Sequence, residues 1–243
     1  MEISERDLRL LADAVDEQHR DGMASMQTDI AELHAETRRF RADNPGDRRD
    51  FLRKATVGAG ALVVGSSVLT MAGLLPAGAQ TLDDGDISAF AESVELAAVA
   101  AYKAAAGTGK LQAAVVDVGT MFAGHHGEHA KAFGGAAGAK ATGKPNPKLL
   151  EAVGGQLSGA QDQAAILKIA FDLENAAAAT YLFALGALKT PAALKLTASI
   201  LPVESQHAVV LGSAMGKSLS DVVPSFQTQT GAVDPTKFPV ASK

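Results

Sequence analysis

The sequence contains no cysteine and no tryptophan, and only 5% of its 243 residues are aromatic. The lack of cysteine excludes disulfide bonds, thiolate metal ligands and a cysteine nucleophile. No arginine follows Arg53, although the guanidinium fork is the side chain best suited to phosphate recognition. Since the net charge is also negative, at −5, we predict no nucleic-acid partner.

Alanine and leucine are abundant, and this composition favours helices. The spacing of apolar residues predicts four amphipathic helices, at about 87–106, 111–133, 162–188 and 191–215. A long connection rich in glycine, lysine and proline, residues 134–159, separates the second helix from the third. We therefore predict an all-α protein whose two helical hairpins, joined by one crossover, form a four-helix bundle over residues 85–216. The tail, residues 217–243, is predicted to be irregular.

The two hairpins carry the same polar pattern. In each, a glutamate is followed seven residues later by a tyrosine, and about thirty residues after the glutamate comes a polar pair spaced by three. The first copy consists of Glu95, Tyr102, His126 and His129, and the second of Glu174, Tyr181, Glu204 and His207. These residues interrupt apolar stripes, so they are expected in the core, where acids and imidazoles are costly unless they are paired or bind a metal. The repetition suggests a metal site built by a duplicated hairpin.

Residues 85–216 resemble a ferritin-like domain, and the likeness is strongest in the second half. It rests there on Phe171-Asp172-Leu173-Glu174, on the segment from Tyr181 to Gly186, and on Glu204-Ser205-Gln206-His207. In particular, this segment resembles the exported group of that superfamily that is related to plant desiccation proteins. The resemblance implies a ferritin-like bundle with a long connection between its second and third helices. Members of the superfamily hold two iron or manganese ions with two single glutamates and two Glu-x-x-His pairs.

The resemblance implies a metal-binding role for six residues of the repeat. They are Glu95 and Glu174 as the single glutamates, Glu204 and His207 as one complete pair, His129 as the histidine of the other pair, and His126 in the place of its glutamate. Three carboxylates instead of four should weaken a dinuclear site, and they favour a single ion or nitrogen-rich ligation. The expected cofactor is one or two divalent ions, iron or manganese, with zinc as the alternative.

Several neighbouring residues have two open interpretations. His125 is either a third imidazole ligand of the first hairpin or an exposed edge residue. Glu128 replaces the missing acid only if the glycines around it distort the helix, and is otherwise solvated. Tyr102 and Tyr181 either reach the metal ligands with their hydroxyls, as the resemblance implies, or are core tyrosines with satisfied hydroxyls. Glu92, one turn before Glu95, is expected at the surface.

A different pattern precedes the bundle. Arg48 and Arg49 are followed by Phe51 and Leu52, and then by an uncharged stretch, 55–80, that ends close to Ala79. A basic region, an apolar core and a small-x-small ending are the parts of a secretory signal. The paired arginines resemble the twin-arginine signal, which is read by a translocase that accepts folded proteins. Segment 48–79 is therefore predicted to be a signal cleaved after Ala79 or, alternatively, a retained membrane anchor.

The signal implies export to the cell envelope, the periplasm or the outside of the cell, with the twin-arginine translocase as a partner. Residues 1–47 form an acidic segment ahead of it, in which 23–40 has the spacing of one amphipathic helix. A short coiled coil, a solvated helix and a mis-assigned start at Met23 or Met26 all fit this segment. Leu8, Leu11 and Val15 belong to an upstream stripe that is out of phase with it.

Two functions fit these patterns. The first is an exported metalloprotein with redox chemistry, oxidising Fe(II) or disproportionating peroxide at manganese. The second is a non-catalytic ferritin-like protein that protects the cell envelope under stress, and His126 in place of a carboxylate favours it. An ordinary helical bundle with self-satisfied Glu–His pairs is a third interpretation. Whether the protein is an enzyme stays open at this point.

Overall fold

The computed structural model describes residues 3–43 and 82–242, with the backbone alone for residues 25–43 and Leu219. Every regular element in these two ranges is helical, which confirms the all-α prediction. The α-helices are α1 (Glu5–Asp43), α2 (Asp84–Ala106), α3 (Ala113–Ala137), α4 (Pro147–Gly159), α5 (Gln163–Leu185), α6 (Pro191–Ala214) and α7 (Leu219–Val222). A 3-10 turn, Gly138–Lys140, follows α3.

Side-chain caps determine where the bundle helices begin. Asp83 and Asp86 form a capping box that starts α2 three residues earlier than the apolar spacing predicts. Asp162 caps α5, and Thr190 caps α6 just ahead of Pro191. Helix α6 continues through Pro202, which cannot donate a backbone hydrogen bond. The predicted positions of the four bundle helices are otherwise correct to within a few residues.

The crossover is more ordered than a plain connection. It contains α4, which Asn146 caps through its side-chain oxygen. Leu149, Val153 and Leu157 lie on one face of α4 and pack against apolar residues of α2 and α5. The C-terminal tail closes the same side, since the backbone N–H of Val233 donates to the hydroxyl of Thr180 on α5 at 2.8 Å.

The bundle consists of two hairpins, α2 with α3 and α5 with α6, and helix α1 lies across α3 and α6. Leu8, Ala12 and Val15 of α1 are buried in one cluster with residues such as Phe122 of α3 and Val210 of α6. A solvated helix was one interpretation of residues 1–47. For the first half of α1 this interpretation is wrong, because one face of the helix is buried. The buried stripe includes the small residue Ala12, which a search for large apolar residues overlooks.

The predicted signal residues Arg48, Arg49, Phe51, Leu52 and Ala79 lie outside the described residues, so cleavage, anchoring and export stay predictions. Among the helices that are described, none combines the length and the hydropathy needed to cross a bilayer.

Candidate metal centre

Each bundle helix points part of the repeat toward the bundle axis. The six predicted metal ligands are at most 1% exposed, and they are Glu95 on α2, His126 and His129 on α3, Glu174 on α5, and Glu204 and His207 on α6. Burial of this kind follows from their positions in the apolar stripes of their helices. The structure thus brings together every residue for which the ferritin-like resemblance implied a metal-binding role.

Two groups of four residues can each converge on one ion. The first ligand group is Glu95, His126, His129 and Glu204, and the second ligand group is His126, Glu174, Glu204 and His207. Within each group, one donor atom from every residue lies within 4.8 Å of the others. His126 and Glu204 belong to both groups, so the two candidate positions are adjacent and share two side chains.

The shared side chains face both positions. His126 places Nδ1 2.7 Å from Glu95 Oε2 and Nε2 3.1 Å from Glu174 Oε1. Glu204 places Oε1 2.9 Å from His129 Nδ1 and Oε2 3.6 Å from His207 Nδ1. The imidazole of His126 therefore stands between the two single glutamates, and its Nδ1 also lies 3.9 Å from Glu204 Oε2.

The side chain of each tyrosine forms a hydrogen bond with a glutamate of the other hairpin. The hydroxyl of Tyr102 donates to Glu174, and the hydroxyl of Tyr181 donates to Glu95. Each tyrosine thus serves the glutamate of the other hairpin, although it lies about 10 Å along the helix from the glutamate of its own. Burial and then the adjacent carboxylate raise the pKa of each phenol, of Tyr102 by Glu174 and of Tyr181 by Glu95. Both hydroxyls therefore stay protonated donors that hold the glutamates in place.

Three carboxylates and three imidazoles compensate one another electrostatically. Burial raises the pKa of Glu95, but the charges of His129 and His126 outweigh it, and that pKa falls to about 2. Burial lowers the pKa of His129, but Glu95 and Glu204 raise it to about 9. The pKa of Glu174 lies well below its usual value, since His126 and His207 outweigh its burial. In the metal-free protein, protons on the imidazoles provide the positive charge that an ion would otherwise supply.

Glu204 and His129 have polar atoms that the pairing of carboxylates with imidazoles leaves without hydrogen bonds. Both oxygens of Glu204 and both ring nitrogens of His129 are buried and have no hydrogen-bond partner among the described residues. His129 Nδ1 approaches Glu204 Oε1 to 2.9 Å, but without the alignment of a hydrogen bond. Buried polar atoms without partners are costly. Mixed oxygen and nitrogen donors suit divalent iron, manganese or zinc, so the donor set fits an ion.

The other predicted residues lie further out. His125 is buried but belongs to neither ligand group, and its Nδ1 lies 2.9 Å from His207 Nε2. Glu128 points away from the axis, with its side chain 46% exposed and paired with Lys131 at 2.6 Å. The prediction that Glu92 lies at the surface is wrong, since this glutamate is buried. It is 6% exposed and accepts the backbone N–H of Thr142, because the crossover folds back over it.

Sequence reasoning missed two residues of α1 that reach this region. His19 is buried, and its ring stacks on that of His125 with centroids 3.8 Å apart. Asp16 Oδ1 lies 3.0 Å from His125 Nε2. The available signal was the spacing of Leu8, Ala12, Val15 and His19 by four, three and four residues, which places His19 at the end of the buried stripe.

A cavity adjoins the ligand groups on the α4 side of the bundle. Its polar wall is formed by Glu95, Tyr102, His126, Glu174 and Tyr181. The rest of its lining is aliphatic and comes from α2, α4, α5 and the C-terminal tail. The cavity is therefore suited to a small, weakly polar molecule next to the candidate ions.

Two helical hairpins that bury carboxylates and imidazoles along a common axis define the ferritin-like class of bundle. The family model described as the ferritin-like domain matches residues 83–217, which is more than half of the chain. The chain belongs to this family, which confirms the resemblance at the level of the superfamily. Comparison with curated proteins and with solved structures gave no match.

The metal-free protein should lose stability as the pH rises from about 6.5 to 9. His129 keeps its proton in the folded chain up to a pKa of about 9, against 6.5 for an ordinary histidine. Its contribution is fully present below pH 6.5 and is lost through this window, because only the folded state then holds the proton. Denaturant unfolding across the window measures the effect. His129→Gln should release about one proton fewer on unfolding, so its free energy of unfolding should fall less steeply with pH in this window. Equal slopes of the free energy of unfolding against pH for the variant and the wild type would contradict this prediction.

Proposed function

We propose that the protein binds a divalent metal ion between the four bundle helices, with iron or manganese as the preferred metal. The observation that carries the proposal is the pair of overlapping ligand groups, in which Glu204 and His129 keep buried polar atoms without hydrogen-bond partners in the described residues. A bound ion would use the carboxylate of Glu204 and one ring nitrogen of His129. Two nitrogens and two oxygens per group also allow zinc, which is the alternative metal.

The charge of the donor set supports one tightly held ion. If the three imidazoles bind as neutral ligands, Glu95, Glu174 and Glu204 leave a charge of −3 in a fully buried site. One divalent ion leaves this site with a single negative charge, whereas two ions leave an uncompensated positive charge. Buried net charge is costly in either case, so we propose that a second ion binds more weakly than the first.

The protein's own residues would control what such an ion does. Iron or manganese, when bound, would supply one-electron redox chemistry. Tyr102 and Tyr181 orient Glu174 and Glu95 through hydroxyls that remain protonated. The cavity beside these groups, polar on one wall and otherwise aliphatic, would admit a molecule of the size of dioxygen or peroxide. These features support oxidation of Fe(II), or turnover of peroxide, as the reaction.

A non-catalytic, stress-protective protein of the cell envelope is the second candidate. The observation that favours it is His126, whose two ring nitrogens contact Glu95 and Glu174 where the family has a bridging carboxylate. An imidazole in this place can satisfy the glutamates without any ion. We further propose export through the twin-arginine translocase, supported by the sequence of segment 48–79 alone.

Full-length protein purified without chelator should contain iron, manganese or zinc by elemental analysis. Adding the bound metal back to stripped protein should raise its melting temperature, because ligands that bind only the folded state stabilise it. Glu204→Ala combined with His207→Ala should abolish both effects, whereas Glu128→Gln at the exposed pair with Lys131 should change neither. A metal-free wild-type protein whose melting temperature ignores all three ions would rule out the site.

The two candidate functions differ in whether the bound metal reacts with oxygen or peroxide. For the redox protein, adding Fe(II) and oxygen to the stripped chain should produce a ferric absorbance faster than in a protein-free control, and the Glu204→Ala and His207→Ala double variant should match that control. Oxygen release from peroxide by the manganese-loaded chain is the second readout. A chain that binds metal but shows neither reaction would support the non-catalytic function.

Restoring the family's fourth carboxylate should change how many ions bind. In His126→Glu the donor set carries four negative charges, which two divalent ions neutralise. We expect calorimetric titration with Mn(II) to show a second tight site in this variant, whereas the wild type shows one tight and one weaker site. His126→Gln is the matched neutral control and should not gain the second site. Equal stoichiometry and affinity in all three chains would contradict the charge argument.

A further inference from the structure

Helix α1 lies outside the part of the chain that matches the ferritin-like domain, residues 83–217, yet it reaches the metal centre. Asp16 Oδ1 lies 3.0 Å from His125 Nε2, and His125 Nδ1 lies 2.9 Å from His207 Nε2. His207 Nδ1 in turn faces the carboxylates, 3.3 Å from Glu174 Oε2 and 3.6 Å from Glu204 Oε2. An unbroken chain of polar contacts thus runs from α1 into the second ligand group.

The directions of these hydrogen bonds are fixed once Nδ1 of His207 binds an ion. The proton of a neutral His207 must then lie on Nε2, which donates to Nδ1 of His125. His125, with Nδ1 accepting, carries its own proton on Nε2 and donates it to the carboxylate of Asp16. Every nitrogen in this relay from Asp16 through His125 to His207 has one role, and Asp16 is the terminal acceptor that selects both tautomers.

Ring packing holds the relay in this geometry. The ring of Phe122 stacks on His207 with centroids 3.9 Å apart, and the ring of His19 stacks on His125 at 3.8 Å. Both histidines of the relay are at most 3% exposed. Asp16 also accepts from Arg20 at 2.9 Å, which leaves its Oδ1 directed at His125. The orientation of His207 therefore depends on side chains from α1 as well as from α3.

The equivalent histidine of the other ligand group has no such support. Neither ring nitrogen of His129 has a hydrogen-bond partner among the described residues, although the His19 ring lies 5.1 Å away. His129 and His207 therefore differ, because among the described residues only His207 is oriented by a carboxylate outside the ligand groups.

We propose that Asp16 is a positioning residue of the metal centre. It acts through His125 to orient His207, so α1 contributes to metal binding. Outer partners of this kind raise the basicity of a histidine ligand and commonly change metal affinity by about ten- to a hundredfold. This role of Asp16 rests on the proposed metal-binding function.

A role for Asp16 makes the segment after α1 important for metal affinity. Cleavage after Ala79 would remove the covalent link between α1 and the bundle, and a membrane-spanning segment 48–79 with α1 and the bundle on opposite sides would separate Asp16 and His19 from the ligand groups. Such a chain would keep all six ligands but lose the relay. The form of the protein with the higher metal affinity is therefore the one in which α1 remains on the bundle.

The test uses full-length Asp16→Ala, Asp16→Asn and, as a matched control, Glu17→Gln at an exposed neighbour of the same charge. Co(II) is the probe, titrated by its visible absorbance in competition with a chelator. Asp16→Ala should weaken Co(II) binding by about ten- to a hundredfold. Asp16→Asn keeps an acceptor oxygen and should recover most of the affinity, and Glu17→Gln should equal the wild type.

A second readout separates positioning from mere support of the fold. In Co(II)-loaded wild type, the Nε2 proton of His207 should give a shifted, slowly exchanging proton resonance, which Asp16→Ala should lose or exchange rapidly and Asp16→Asn should keep. Equal Co(II) affinity and an unchanged resonance in Asp16→Ala would overturn the proposal while leaving the metal site intact. Failure of the wild type itself to bind Co(II) would instead overturn the proposed function, and this proposal with it.

Discussion

The burial of three carboxylates among three imidazoles is the constraint on which the rest of the structure depends. Glu95, Glu174 and Glu204 are at most 1% exposed, and an isolated buried carboxylate would be too costly to keep its charge. In the metal-free chain the histidines of α3 and α6 compensate the charges of these carboxylates, and in the metal-loaded chain an ion would do so. The four bundle helices must therefore stay in register, because a shift of either hairpin would separate the partners.

Helix α1 on one side, and helix α4 with the C-terminal tail on the other, cover the buried carboxylates and imidazoles of the bundle. Helix α1 covers α3 and α6, and it inserts His19 and Asp16 beside the ligand groups. Helix α4 and the C-terminal tail cover α2 and α5 with aliphatic side chains. The two sides differ in chemistry, since α1 contributes an imidazole and a carboxylate, whereas α4 and the tail contribute apolar side chains. The centre therefore has a hydrogen-bonded relay on one side and a largely non-polar cavity on the other.

His126 stands where the resemblance to the family implies a bridging glutamate. Its ring nitrogens contact Glu95 and Glu174 directly, so one imidazole satisfies two carboxylates that the family's bridging glutamate would repel. The same contacts compensate two buried carboxylates in the metal-free site, and the missing fourth carboxylate supports the proposal that a second ion binds weakly.

By itself, the sequence determined the helical class, the four bundle helices and the six inward-facing acids and imidazoles, because apolar periodicity is a local property that survives without tertiary information. It also exposed the duplication that pairs Glu95 with Glu174. Only the tertiary structure decided which hairpin each tyrosine serves, that Glu92 is buried beneath the crossover, and that Asp16 and His19 of α1 reach His125. These contacts join residues from 50 to more than 100 positions apart, and no spacing along one helix encodes how two helices approach each other.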